Sequence, residues 1–136
     1  KGLSLPFYAT AGSAGADIKA ALTQDLTLNP FERALIPTGY AFEIPAGYEM
    51  QIRSRSGLSY KQGVIVLNSP ATIDADYQGE VKVLLCNLGA APFTVTRGMR
   101  IAQLVIASVL QAQYTEIMAF KETSERQSGG FGSTGL

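Results

Sequence analysis

The chain has 136 residues, the size of one domain, with 46% apolar and 16% charged residues, a balance that excludes an intrinsically disordered protein. Lys and Arg number 11, as do Asp and Glu, so no global field draws the chain to nucleic acid or to an anionic membrane. No apolar run approaches the roughly eighteen residues of a membrane span; the longest is Ile101 to Leu110.

Nearly every segment is short, apolar or β-branched, and bounded by Gly, Pro, Asn or Asp. Strands are predicted over Ala16–Ala20, Asp25–Leu28, Arg33–Pro37, Tyr40–Ile44, Tyr48–Arg53, Val64–Leu67, Glu80–Asn87, Phe93–Val95 and Ile101–Leu110. Asn29-Pro30, Pro37-Thr-Gly39, Pro45-Ala-Gly47 and Asn87-Leu-Gly89 punctuate them, at the spacing of a β-sandwich or barrel. Only Gly57–Gln62 suits a helical turn. Cys86, the single cysteine, lies in a strand-like run and reads as a small buried hydrophobe. No disulfide is possible within the chain and no signal peptide is visible, which fits a reducing, cytoplasmic setting. The expected organisation is one all-β domain over 1–123 and a flexible glycine-rich arm over 124–136.

Five stretches carry polar chemistry, and each has an ordinary structural reading beside it. Gly12-Ser-Ala-Gly-Ala-Asp-Ile-Lys19 is a glycine-rich loop entering a strand, where Asp17 is either an outward strand position or a ligand-facing carboxylate. In Arg53-Ser-Arg-Ser-Gly-Leu-Ser59, Arg55 offers a planar fork of donors suited to phosphate oxygens. Ser56 and the amides beside Gly57 open a turn able to hold an anion; a solvated strand end is the alternative. Asn68-Ser-Pro-Ala-Thr-Ile-Asp-Ala-Asp-Tyr-Gln-Gly-Glu80 lies between Val64–Leu67 and Val81–Cys86. Pro70 blocks a helix there, and Gly79 permits a tight return. The stretch reads as a β-hairpin presenting Asp74, Asp76 and Tyr77 at its tip, although a plain acidic turn suits these residues equally.

Gln103 is a polar residue in an otherwise apolar strand, so it either faces solvent or is buried with partners. The run from Leu104 to Leu110 is long for one face and is read as lining a subunit contact as well as the core. Arg126-Gln-Ser-Gly-Gly-Phe-Gly-Ser-Thr-Gly135 lacks a Walker lysine and is no P-loop. A disordered end is the common reading of such a stretch, yet a linker has no use for Phe131. The chain has no histidine. That removes Ser-His-Asp and Cys-His nucleophiles and the commonest zinc sites, leaving a carboxylate as the expected general base.

In this order the five stretches resemble the five signature motifs of the trimeric deoxyuridine triphosphatases, the dUTPases. Gly12 to Lys19 is similar to the first, and Arg55-Ser-Gly-Leu58 to the second. Asn68-x-x-x-Thr-Ile-Asp-x-Asp-Tyr-x-Gly-Glu80 is similar to the third, Gly98-x-Arg-Ile-Ala-Gln103 to the fourth, and Arg126-x-x-Gly-Gly-Phe-Gly-Ser-Thr-Gly135 to the fifth. The resemblance implies a jelly-roll, β-barrel-like subunit in a homotrimer with active sites shared between subunits. It implies Mg²⁺-dependent hydrolysis of dUTP to dUMP and pyrophosphate, which limits uracil in DNA and supplies dUMP for dTMP synthesis.

The same resemblance assigns roles. Asp74 matches the base that activates water, and Tyr77 the aromatic that packs on deoxyribose and leaves no room for a 2′-hydroxyl. Asn68 matches the residue reading uracil, with Thr72 and Ile73 beside it. Arg55, Ser56, Gly57 and Gln103 match phosphate-chain contacts. Asp17 matches a carboxylate that orients a magnesium-bound water, while the triphosphate supplies the direct ligands. In the arm, Arg126 would meet the γ-phosphate and Phe131 would stack on uracil. Gly132, Ser133 and Thr134 would contact phosphate oxygens. Stacking is worth about 1–3 kcal/mol per base, and ordering a glycine-rich arm costs much of that. Ala71 stands where members commonly carry glycine, and strains the chain only if that position needs φ > 0. Asp76 has no role beyond the turn. Two other readings stay open: a dCTP deaminase-like enzyme, and a non-catalytic β-sandwich binding module.

Overall fold

The computed structural model describes residues 2–120, 122, 124 and 128–129. Its longest strand, β10 (Arg100–Ser108), organises a five-stranded sheet in the order β1 (Phe7–Tyr8), β2 (Ala16–Lys19), β10, β5 (Tyr48–Arg53), β7 (Ala71–Ile73). A three-stranded sheet runs β4 (Arg33–Pro37), β8 (Lys82–Asn87), β6 (Val64–Val66), and a ribbon pairs β3 (Leu26–Leu28) with β9 (Phe93–Val95). All pairings are antiparallel. A short helix, α1 (Ser56–Gln62), follows β5 and ends on Gly63, whose φ of 69° is left-handed and suits glycine.

Alternation within the strands builds a single core. Ile18 of β2, Met50 and Ile52 of β5 and Leu104 of β10 meet Val64 and Val66 of β6, Val83 and Leu85 of β8, and Val95 of β9. Each is at most 4% exposed, so burial and packing of these side chains stabilise the fold. The two buried polar side chains among the described residues are both satisfied. Thr38 Oγ1 donates to the Val81 carbonyl (2.6 Å), and Asn87 Nδ2 donates to the Leu28 and Ala91 carbonyls (2.9 and 2.8 Å).

Two expectations change. Tyr40–Ile44 alternates in burial as a strand would, but it forms no ladder. Its tie to the sheet is the Val81 N–H donating to the Tyr40 carbonyl (2.9 Å), while the Tyr40 N–H donates to Thr38 Oγ1 (3.3 Å). The second change is in the expected hairpin. Its arms do pair, Val64↔Asn87 to Val66↔Leu85, but the connection is no free tip. Ala71–Ile73 leaves to pair with β5, Ile52↔Ala71 to Met50↔Ile73, because this β-branched stretch completes the edge of the other sheet. Asp74 is therefore the first residue past a strand.

Beyond Val109, whose N–H donates to the Gly47 carbonyl (2.9 Å), the described chain continues without helix or strand. Leu110, Tyr114, Met118 and Phe120 are 87–100% exposed along it. No helix among the described residues is long and apolar enough to cross a membrane.

Candidate active site

The cationic part of the site grows from an irregularity in β10. Between Arg100 and Ala102 the register against β2 shifts, so Arg100 faces Lys19 and Ala102 already faces Ile18. Side chains three apart on a regular strand point to opposite faces. The bulge removes that alternation: Ile101 and Ala102 are both buried, and Arg100 and Gln103 reach the same outer face as Asp17.

Asp17 is the hub of this face. Its Oδ1 accepts from Arg55 Nε at 2.9 Å and its Oδ2 from Arg100 Nη1 at 3.0 Å. Arg55 Nη2 adds a longer bond to Oδ2 (3.4 Å), and Nη1 reaches the Arg100 carbonyl (3.3 Å). Three of the five guanidinium N–H groups of Arg55 are thus engaged within the chain, leaving two for a ligand. One carboxylate against two guanidiniums leaves a net positive charge. Gln103 Nε2 donates to the Ser54 carbonyl (2.8 Å), which turns its oxygen toward Gly15, where any Cβ would overlap it.

These residues, with Ser13, Ser56 and Gly57, line an open cleft of about 360 Å³. Ser56 and Gly57 start α1, which has no side-chain cap at Arg55 and no acidic residue in its first turn. Its first backbone N–H groups have no helical acceptor, and Ser56 and Gly57, which carry two of them, line the same cleft. Such a cleft suits a polyanion.

A second cleft, about 430 Å³, is lined by Leu35, Thr72, Ile73, Asp74, Tyr77, Glu80, Val81 and Lys82. Asp74 is exposed there, held by a turn in which the Tyr77 N–H donates to the Asp74 carbonyl (3.2 Å). The Tyr77 hydroxyl donates to the Glu80 carbonyl (3.0 Å), which folds the ring back across Gly79. Gly79 does not have a positive φ, so the tight return expected of it is not why glycine stands there; the ring occupies its Cβ space. Asn68 lies in the exposed turn before β7 and lines neither cleft. The two clefts share no lining residue.

A dUTPase family model matches residues 2–135. The chain belongs to the dUTPase family. It is 60% identical over 138 residues to the deoxyuridine 5′-triphosphate nucleotidohydrolase of Rhizobium etli, across 100% of this chain and 88% of that protein. The enzyme of the same name from Chlamydia trachomatis serovar L2 is 56% identical over 134 residues, across 98% and 92%. Among solved structures, Staphylococcus bacteriophage 80alpha dUTPase with dUPNHPP aligns with a TM-score of 0.88 at 28% identity, covering 100% of this chain and 94% of that one. The dUTPase from phage phi11 of S. aureus aligns at 24% identity with a TM-score of 0.77, covering 88% and 92%, a likeness of fold. The expected all-β, jelly-roll-like dUTPase fold is what the strands form.

Measured against the dUTPase motifs, the first, second and fourth converge on one cleft through Asp17, Arg55, Ser56, Gly57 and Gln103. From the third, Thr72, Ile73, Asp74 and Tyr77 line the other. Of the fifth, Arg126, Phe131, Gly132, Ser133 and Thr134 lie outside the described residues. Ala71, where dUTPases commonly carry glycine, sits within β7 without a positive φ and carries no strain. Arg100, a position of the fourth motif, is made by the fold a direct partner of Asp17. The signal for it is the bulge, which no spacing rule reveals.

Proposed function

We propose that the chain hydrolyses dUTP to dUMP and pyrophosphate by attack of water on the α-phosphorus, with Asp74 as general base. The observation that carries this is the pairing of Asp74 and Tyr77 in one open cleft while a net-positive cleft lies apart from it. Asp74 takes the proton of a water in line with the scissile P–O bond. Tyr77 packs on the deoxyribose where a 2′-hydroxyl would sit. Asn68, Thr72 and Ile73 present the turn and strand edge that read uracil, since a mismatched buried donor or acceptor costs about 1–3 kcal/mol. Arg55, Gln103 and the amides at Ser56 and Gly57 hold the phosphate chain.

Magnesium fits this arrangement as a passenger of the triphosphate. No group of three or more His, Cys, Asp or Glu among the described residues offers it a cage, and both Asp17 oxygens already accept from arginine. Asp17 is suited to hold a water of the ion rather than the ion itself. Bound there, Mg²⁺ supplies neutralisation of the charge that develops on departing pyrophosphate. The phi11 dUTPase, one mutant of which coordinates a structural Mg(II) ion, shares the fold.

Separation of the two clefts supports a homotrimer in which each site draws on more than one chain. Apolar residues left uncovered from Leu110 to Phe120 support an arm that lies on a neighbouring copy. Residues 124–136 form the arm's end in this reading, bringing Arg126, Phe131, Gly132, Ser133 and Thr134 over bound nucleotide. Removal of dUTP before it enters DNA and supply of dUMP follow from the reaction in a cytoplasmic enzyme.

Pyrophosphate release from dUTP, dCTP, dTTP and UTP, with and without Mg²⁺, tests the reading. Fast release from dUTP alone, dependent on the metal, is expected. Ammonia released from dCTP, or equal turnover of UTP, would overturn it.

A further inference from the structure

The geometry points to Gly79 as a positioning residue for sugar selection, its missing Cβ being the seat of the Tyr77 ring. The inference rests on the reading of Tyr77 as the residue that packs against deoxyribose. An ideal Cβ built on Gly79 lies 2.5 Å from the Tyr77 hydroxyl oxygen, 2.7 Å from Cζ and 3.1 Å from Cε2. These atoms belong to a rigid ring and not to the loose end of a flexible chain. Carbon contacts settle near 3.5–4.0 Å, so an added methyl displaces the ring by about 1 Å. Backbone strain is not involved, because Gly79 has an ordinary φ that alanine adopts.

Tyr77 is 45% exposed, and it is held over Gly79 through its hydroxyl and the anchored backbone on either side. Its hydroxyl is tied to the Glu80 carbonyl (3.0 Å), and residues 80 and 81 are clamped to the segment 38–40. Gly39 N–H donates to Glu80 Oε1 (2.9 Å), Val81 N–H to the Tyr40 carbonyl (2.9 Å), and Thr38 Oγ1 to the Val81 carbonyl (2.6 Å). At the other end, the Tyr77 N–H is held by the Asp74 carbonyl (3.2 Å). A ring pushed off Gly79 therefore moves outward, into the cleft it shares with Thr72 and Asp74. The aromatic is set in place before any nucleotide arrives, and Gly79 and the Glu80 clamp fix the depth at which the sugar must sit.

Gly79→Ala, Tyr77→Ala and the double variant test this through kcat and KM for dUTP and UTP, together with Tm. Gly79→Ala alone should lower kcat/KM for dUTP roughly 10- to 100-fold, chiefly through KM, as a misplacement of about 1 Å does. In the Tyr77→Ala background the same substitution should change kcat/KM and Tm little, within about twofold for the former, because nothing is left to collide with. Wild-type kinetics for Gly79→Ala, or equal losses in both backgrounds, would overturn the inference. Should Gly79→Ala fail to fold, a folded double variant still supports the overlap, and an unfolded one defeats it. If Tyr77→Ala leaves the dUTP/UTP ratio unchanged, the sugar role of Tyr77 falls. The Tm values then decide separately whether Gly79 seats the ring.

Discussion

Asp74 is exposed and stands one position past a strand, where its backbone is fixed on one side by the β5 pairing and on the other by the turn to Tyr77. Asn at 74 keeps that geometry and the shape of the side chain but cannot accept a proton. Asp74→Asn should therefore bind dUTP within several-fold of wild type while kcat falls by about 10²–10⁴, the usual contribution of a general base. Calorimetric affinity set against single-turnover rate checks this, and a variant that keeps most of its turnover would remove Asp74 from the role. Tyr77→Ala should narrow the gap between dUTP and UTP, read as the ratio of their kcat/KM values. At this scale much was legible: a chain without histidine directs attention to its aspartates, and Gln103 is conspicuous in an apolar strand. The partnership of Asp17 with Arg100 was not, because it joins residues 83 apart through a bulge.

Strand β5 shows how the elements hold the site. One face buries Met50 and Ile52, while the other carries Glu49, Gln51 and Arg53 in a chain of hydrogen bonds (Gln51 Nε2 to Glu49 Oε1, 2.6 Å; Arg53 Nε to Gln51 Oε1, 3.0 Å). Ile52 pairs with Leu104 on one side and Ala71 on the other, so it sits between the strand bearing Gln103 and the strand leading to Asp74. Ile52→Ala should cost about 2–5 kcal/mol, the range for truncating a buried isoleucine. Urea unfolding at fixed protein concentration measures the loss, and a change under 1 kcal/mol would mean that the cavity collapses. Strand positions were readable from alternation and turn residues. Alternation alone does not show pairing, however. Tyr40–Ile44 has the pattern and no partner ladder, whereas Phe7–Tyr8 pairs with β2 through two residues that no pattern announces.

At the scale of the whole molecule, the proposed trimer with sites shared between chains can be tested by mixing two variants. Asp74→Asn and a deletion from Arg126 onward should each be inactive alone. Unfolded, mixed equally and refolded, they restore a site wherever the tailless chain gives Asp74 and the other gives the arm. In a cyclic trimer that is one site in about four, so roughly a quarter of wild-type activity returns. A mixture that stays dead, with mixed trimers confirmed by native mass spectrometry, would mean that each chain completes its own site. Nothing at this scale follows from composition, since zero net charge says what the surface avoids and not what it meets.

The segment beyond Val109 also has a meaning for proteases. A segment without helix or strand that bears Tyr114 and Phe120 in the open is the form a chymotrypsin-like cleft accepts, and such segments are cut first. If a neighbouring copy covers that segment, its susceptibility becomes a meter of assembly. Cleavage at Tyr114 and Phe120 should be fast in dilute protein and slow in concentrated protein, at equal ratios of protease to chain. Cutting at one rate across the dilution series would mean that the segment stays bare, whatever the chains do elsewhere.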